Sequence, residues 1–157
     1  VRADKDYGIL GSVQGSDGAR GEVLMCEDRK NNNPYVSNGK ELSYVSMDGQ
    51  EVYKFAVRTV PEAILKATEK AGISVDEVDL FILHQANIRI LQSVSKRLRI
   101  PMEKIPINLH KCGNISAGSV PILLDFVNRR GMIKKGDKIV LAGFGAGLTW
   151  GASVLRW

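Results

Sequence analysis

The chain has 157 residues, 44% of them hydrophobic and 25% charged, with a net charge of +5. That size suits one domain burying roughly 68–70% of its unfolded surface, and the composition excludes a disordered or low-complexity chain. No apolar run approaches the ~20 residues of a membrane-crossing helix, because Val120 to Leu124 contains Pro121 and is followed by Asp125.

The first residues, Val-Arg-Ala-Asp-Lys-Asp, lack the apolar stretch of a signal peptide and lack an initiator Met. They read as the start of a piece of a longer protein. Cys26 and Cys112 have no CxxC spacing, so the expectation is two reduced thiols in a cytoplasmic protein. A metal site from Cys112, His110 and His84 has no recognised ligand spacing, so no metal is expected. The positive charge favours an acidic partner, without choosing among nucleic acid, an anionic membrane and an acidic or phosphate-bearing protein substrate.

Tyr7 to Gln14 alternates loosely and runs into Gly15-Ser-Asp-Gly18, a strand followed by a turn. Glu22 to Cys26 predicts a second strand, and Leu42 to Met47 a third. Between them, Asp28 to Lys40 is polar, and long enough to line a site or act as a lid. From Val52 to Ala71, Ala56, Val60, Ala63, Ile64, Ala67 and Ala71 recur at helical spacing, with Gly72 as the stop. Pro61 predicts a kink or a restart within that helix.

Ser74-Val-Asp-Glu77 fits a capping box, and Val78 to Leu83 a buried strand ending at His84. Asn87 to Arg99 predicts a helix stopped by Pro101, and Ile105 to Asn108 a short strand. Ser116 to Arg130 predicts a helix with Gly131 as its stop. Two further strands, Lys138 to Ala142 and Leu148 to Leu155, flank Gly143-Phe-Gly-Ala-Gly147. Strands alternating with helices imply a mixed α/β sheet in a single domain over residues 1–157. Positions 117–127 are apolar nearly all round, which predicts cover on both sides of that helix.

Three constellations can carry chemistry. His84-Gln-Ala-Asn87 stands at the carboxyl end of a strand, where ligands of open α/β sheets gather. His84 can donate to a developing oxyanion or act as acid or base, and equally it can be a satisfied core histidine. Asn114 precedes the apolar helix, where it can cap the N-terminus or offer its amide to a substrate carbonyl. The Gly143 to Gly147 segment lets backbone approach a ligand closely, yet as a pattern it is only a glycine-rich turn.

Together and in this order, His84-Gln-Ala-Asn-Ile-Arg89, Gly113-Asn-Ile-Ser-Ala-Gly-Ser119 and Gly143-Phe-Gly-Ala-Gly-Leu-Thr-Trp-Gly151 resemble the C-terminal half of the β-ketoacyl-acyl carrier protein synthase III family. Weaker similarity reaches back to Gly8-Ile-Leu and Gly15-Ser-Asp-Gly18. The resemblance implies the C-terminal half of the thiolase fold, a mixed five-stranded sheet with helices on both faces, the central helices being shared with a second half. It implies a decarboxylating condensation of an acyl group from acyl-CoA with malonyl-acyl carrier protein, without cofactor, starting fatty acid synthesis.

On that pattern His84 and Asn114 are catalytic, hydrogen-bonding the malonyl thioester oxygen. The backbone N–H of Ala146 is an oxyanion-hole donor, and Phe144 and Gly145 line the site. Family members usually carry Gly where Ala146 stands, a change that keeps the N–H. The nucleophilic cysteine of the family belongs to the N-terminal half, and neither Cys26 nor Cys112 lies in its motif, so this chain alone is expected to be inactive in condensation. The partners implied are acyl carrier protein, acyl-CoA, the missing half and, for the full-length enzyme, a second copy.

Arg89, Lys96 and Arg99 share a face of the helix after His84, with Arg97 nearby. Such a stripe is often only a solvated face. The family resemblance assigns Arg89, Lys96 and Arg97 to binding the acidic carrier protein. Few aromatics accompany the stripe to stack bases, which argues against nucleic acid, and no membrane partner is expected. Other readings are a chalcone-synthase-like or hydroxymethylglutaryl-CoA-synthase-like relative, a ketosynthase III-like acyltransferase of secondary metabolism, and a noncatalytic half that completes a separate chain.

Overall fold

The computed structural model describes residues 7–26, 35 and 44–157. The expected loop from Asp28 to Lys40, Tyr35 apart, and the start of the expected strand at Leu42 lie outside the described residues.

Leu80-Phe-Ile-Leu83 has no polar position to turn toward water, and as strand β4 all four of its residues are buried. Its neighbours are set by chain order. β1 (Gly8–Ser16), β4 (Leu80–Leu83), β5 (Lys138–Gly145) and β6 (Thr149–Arg156) form one sheet in the order β1-β6-β5-β4. β4 and β5 are parallel, and β5, β6 and β1 are antiparallel, so the sheet is mixed. β2 (Leu24–Cys26) and β3 (Val45–Met47) pair separately as a two-stranded ribbon.

The main sheet therefore has four strands among the described residues, not the five expected. Ile105 to Asn108 does not join it. The backbone N–H of Asn108, which a ladder would use, donates instead to the side chain of Gln85 (3.2 Å to Oε1).

Helix α1 (Gly49–Lys70) is held at its start by Asp48, whose carboxylate accepts from the N–H groups of Gln50 and Glu51 at 3.0 Å. It runs without a restart through Pro61, which is buried along with Val60 and Ala63. Gly72, at φ 69°, ends it, with Gly72 N–H on Glu69 O and Ile73 N–H on Thr68 O, the paired bonds of a Schellman stop. Where β1 crosses α1, a side chain at Gly11 would come within 2.6 Å of the Ala67 carbonyl, so only glycine permits that approach.

Side-chain alternation sorts the strands between two cores. Phe81, Leu83, Val140, Ala142, Ala152 and Val154 face α1 and α2 (Ile88–Leu98) in the larger core. Leu80, Ile82 and Ile139 face α4 (Ser119–Arg129), where Leu123 and Val127 meet them. A one-turn helix, α3 (Leu109–Cys112), precedes α4. Helices thus lie on both faces of the sheet. Among the described residues no helix is long and apolar enough to cross a membrane.

Candidate active site

β4 ends at Leu83, and the ladder extends one residue further through His84 N–H to Ala142 O at 2.8 Å. His84 is thereby fixed at the carboxyl ends of the two parallel strands, β4 and β5. Gly143 lies beside it, with the position of a missing Cβ 3.9 Å from the His84 Cβ. The next residue, Phe144, meets the imidazole edge to face at 5.2 Å between ring centroids. Phe144 also packs on Phe55 of α1 (6.2 Å), and Phe55 on Trp150 of β6 (5.7 Å), so the wall of the site is anchored in the larger core.

His84 has a polar partner on its other side. Its Nδ1 is 2.5 Å from Oγ of Ser119, the first residue of α4. The same Oγ accepts from the backbone N–H of Gln85 at 3.3 Å. Burial pushes the imidazole below its ordinary pKa, because the charged form loses hydration there with no acid to compensate it. His84 is thus a neutral side chain around neutral pH, able to donate from one ring nitrogen.

Gln85 is fully buried, a position that a carboxamide tolerates only when paired. Its Nε2 donates to Leu83 O at 3.0 Å, and its Oε1 accepts from Asn108 N–H. It ties the end of β4 to the segment leading into α3. Asn108 itself is buried, and neither its Oδ1 nor its Nδ2 has a hydrogen-bond partner among the described residues.

Asn114 is exposed and follows Gly113, whose φ of 65° turns the chain. Its Oδ1 accepts from Ser116 N–H at 3.1 Å, so the side-chain oxygen caps the single turn Ser116–Gly118 that leads into α4. That bond uses the side-chain oxygen and not the two amide N–H groups, which belong to an exposed residue of the same lead-in that supplies Ser119. Capping and donation, alternatives in the sequence, are therefore compatible. Ala146 is exposed on the turn joining β5 to β6, and Thr149 Oγ1 donates to its carbonyl at 2.9 Å. Gly145 is half-buried at the end of β5.

Of the residues singled out in the sequence, His84, Gly143 and Phe144 are in contact; Asn114 and Ala146 lie a few residues along the loops that leave this cluster. Ser119, Gln85 and Asn108 were not singled out. Ser119 closes the glycine-asparagine motif and Gln85 sits inside the His84 motif, so both lay within legible patterns, whereas Asn108 gave no signal.

The basic residues divide. Arg89 and Lys96 project from α2 with no ion-pair partner among the described residues, whereas Arg97 lies 3.6 Å from Glu62 of α1. Arg99 forms the left-handed cap of α2, at φ 56°. Of the two cysteines, Cys26 is exposed at the end of β2 and Cys112 half-exposed at the end of α3. No group of three or more His, Cys, Asp or Glu side chains among the described residues is placed to hold a metal ion.

A mixed sheet with a histidine at its parallel strand ends and a glycine-rich hairpin beside it agrees with the C-terminal half of the thiolase fold that the sequence motifs resemble. The family described as 3-oxoacyl-[acyl-carrier-protein (ACP)] synthase III C terminal matches residues 68–157, and the chain belongs to it. It is 44% identical over 154 residues to the β-ketoacyl-[acyl-carrier-protein] synthase III of Clostridium novyi, covering 98% of this chain and 48% of that protein.

Two solved structures superpose closely, each with a TM-score of 0.88 and 38% identity. They are the synthase III of Aquifex aeolicus, matched over 100% of this chain and 47% of that one, and the synthase III of Thermus thermophilus, matched over 99% and 48%. The chain spans about half the length of these relatives.

Proposed function

We propose that this chain is the C-terminal part of a decarboxylating condensing enzyme, one that joins an acyl group from acyl-CoA to malonyl-acyl carrier protein. The observation that carries this reading is His84, neutral and donor-capable at the carboxyl ends of β4 and β5 beside Phe144, in a chain of the synthase III family.

The chemistry follows from where charge develops. As the malonyl carboxylate leaves as CO₂, the electrons of the broken C–C bond delocalise onto the thioester oxygen. A donor aimed at that oxygen stabilises the transition state more than the ground state. His84 and the Asn114 amide supply two such donors without a net positive charge, which would also stabilise the departing carboxylate's ground state. The enolate carbon then attacks the acyl thioester held on a cysteine of the other half. The N–H of Ala146 receives the oxyanion of that second step, and the cysteine leaves as a thiolate. Neither Cys26 nor Cys112 lies in a motif of the family's nucleophile, so the isolated chain lacks this step.

Arg89 and Lys96, without an ion-pair partner among the described residues, fit an acidic carrier protein, with attraction acting mainly on encounter. Arg97, shared with Glu62, contributes less.

The test separates the two half-reactions in the full-length enzyme. His84→Ala should retain acyl-thioester formation from acetyl-CoA, read by intact mass. It should lose CO₂ release from malonyl-acyl carrier protein by about 10²–10³, the usual cost of one oxyanion donor. Equal loss of both half-reactions would remove His84 from this role. In the same assay Arg89→Glu should raise KM for the carrier-protein substrate and leave that for acetyl-CoA; a parallel rise in both would remove the docking assignment.

A further inference from the structure

We infer that Ser119 is the positioning residue of this site: its hydroxyl donates to Nδ1 of His84, holding the imidazole in the tautomer whose only N–H is at Nε2. This rests on the reading of His84 as donor to the enolate oxygen, and adds what keeps that donor armed.

The protons around one oxygen decide the direction of this hydrogen bond. A serine hydroxyl has one proton and two lone pairs. The backbone N–H of Gln85 can only donate, and at 3.3 Å it occupies one lone pair of Ser119 Oγ. The remaining contact, Oγ to Nδ1 at 2.5 Å, can be drawn either way.

If Nδ1–H donated to Oγ, the hydroxyl proton would need a second acceptor. Ser119 is 1% exposed, and among the described residues its Oγ has no other partner. A buried, unsatisfied O–H costs more than a formed bond returns. With the hydroxyl donating to Nδ1, the Ser119 hydroxyl, the Gln85 N–H and Nδ1 are all paired. A neutral imidazole has one proton, so it then resides on Nε2.

The frame is rigid enough to enforce this choice. Ser119 begins α4, whose Leu123 and Val127 are buried against β4 and β5. Gln85, whose backbone N–H donates to Oγ, is anchored by its side chain to Leu83 O and Asn108 N–H. Neither side of the hydrogen bond to His84 can rotate away without leaving a buried polar group unpaired.

The test is the imidazole ¹⁵N spectrum of the full-length protein labelled with ¹⁵N-histidine, the His84 signals being those lost in His84→Gln. Above neutral pH the shifts should place the proton on Nε2, with Nδ1 an unprotonated acceptor. In Ser119→Ala the two tautomers should mix, and kcat for malonyl decarboxylation should fall on the order of tenfold to a hundredfold, as misaimed catalytic groups do, with acyl loading unchanged. A proton on Nδ1 in the unmodified protein overturns the assignment without need of any variant. So does a tautomer that Ser119→Ala leaves unchanged. Decarboxylation that survives His84→Ala would instead remove the function reading and leave the tautomer result standing.

Discussion

The two faces of the sheet are covered to different degrees by helices of opposite character. α1 mixes charged and apolar residues, yet ten of its 22 residues are buried. α4 is the more apolar helix, and only Ser119, Leu123 and Val127 of its 11 residues are buried. Ile122 is 45% exposed, and Val120, Leu124 and Phe126 are half-buried. α1 reaches across β1, β6 and β5, whereas α4 rests mainly on β4 and β5. A shallow groove of about 200 Å³ runs beside it over Ser12, Val120, Leu141 and Ser153. Apolar sequence is thus a poor guide to burial within this chain. The site sits at the seam: His84 touches Phe144, which belongs to the closed core, and Ser119, which belongs to the open one.

The largest effect should come from the closed face. Phe81 is fully buried between β4 and the helices α1 and α2. Phe81→Ala should cost about 3–5 kcal/mol, measured by urea unfolding. A loss no larger than that of a surface substitution would mean that the closed core is not the stabilising one, and the comparison of faces would fail.

A smaller effect belongs to the seam and shows as a slope with pH. The folded pKa of His84 lies below its unfolded value, near the ordinary histidine range of about 6.5. The unfolded chain therefore takes up the proton first as pH falls. The stability tied to neutral His84 is complete above the ordinary range and declines as pH falls toward the lowered folded value. Urea midpoints compared at about pH 7.5 and about pH 5.5 should drop less in His84→Gln than in the unmodified protein. An equal drop would mean that burial does not hold His84 neutral.

What could be read from the sequence was local. The α1 stripe from Ala56 to Ala67, the Gly72 stop and the reach of β4 to His84 each depend on spacing within one element, and each is realised. Pro61 is instructive: its missing N–H predicts a kink or a restart, and the helix continues through it without a restart, with Val60, Pro61 and Ala63 buried. The rest depends on residues distant in sequence. His84 and Ser119 are 35 positions apart, and no periodicity ties them. Ile105 to Asn108 has the composition of a strand, but strand formation needs an available edge, and the Gln85 side chain takes the Asn108 N–H first. The Arg89 stripe was legible as charge; the partnership of Arg97 with Glu62 on another helix was not.

The smallest effect is the sharpest test of the open face. Ile122 projects from α4 into solvent, so Ile122→Ser in this chain should shift stability by no more than about ±0.5 kcal/mol. It should also reduce self-association, since Ile122 and the adjacent Pro121 are exposed apolar residues of α4. In the full-length enzyme the same substitution should remove the burial of a whole Ile side chain, worth about 1.5–3 kcal/mol, and place a hydroxyl against apolar neighbours. The informative quantity is the difference between the two urea midpoints' shifts, because any intrinsic effect of serine on the helix cancels. A large difference means that the second half of the fold closes over α4 and completes the cover that α1 already gives the other face. No difference would mean that α4 faces water in both, and its apolar character would need another cause.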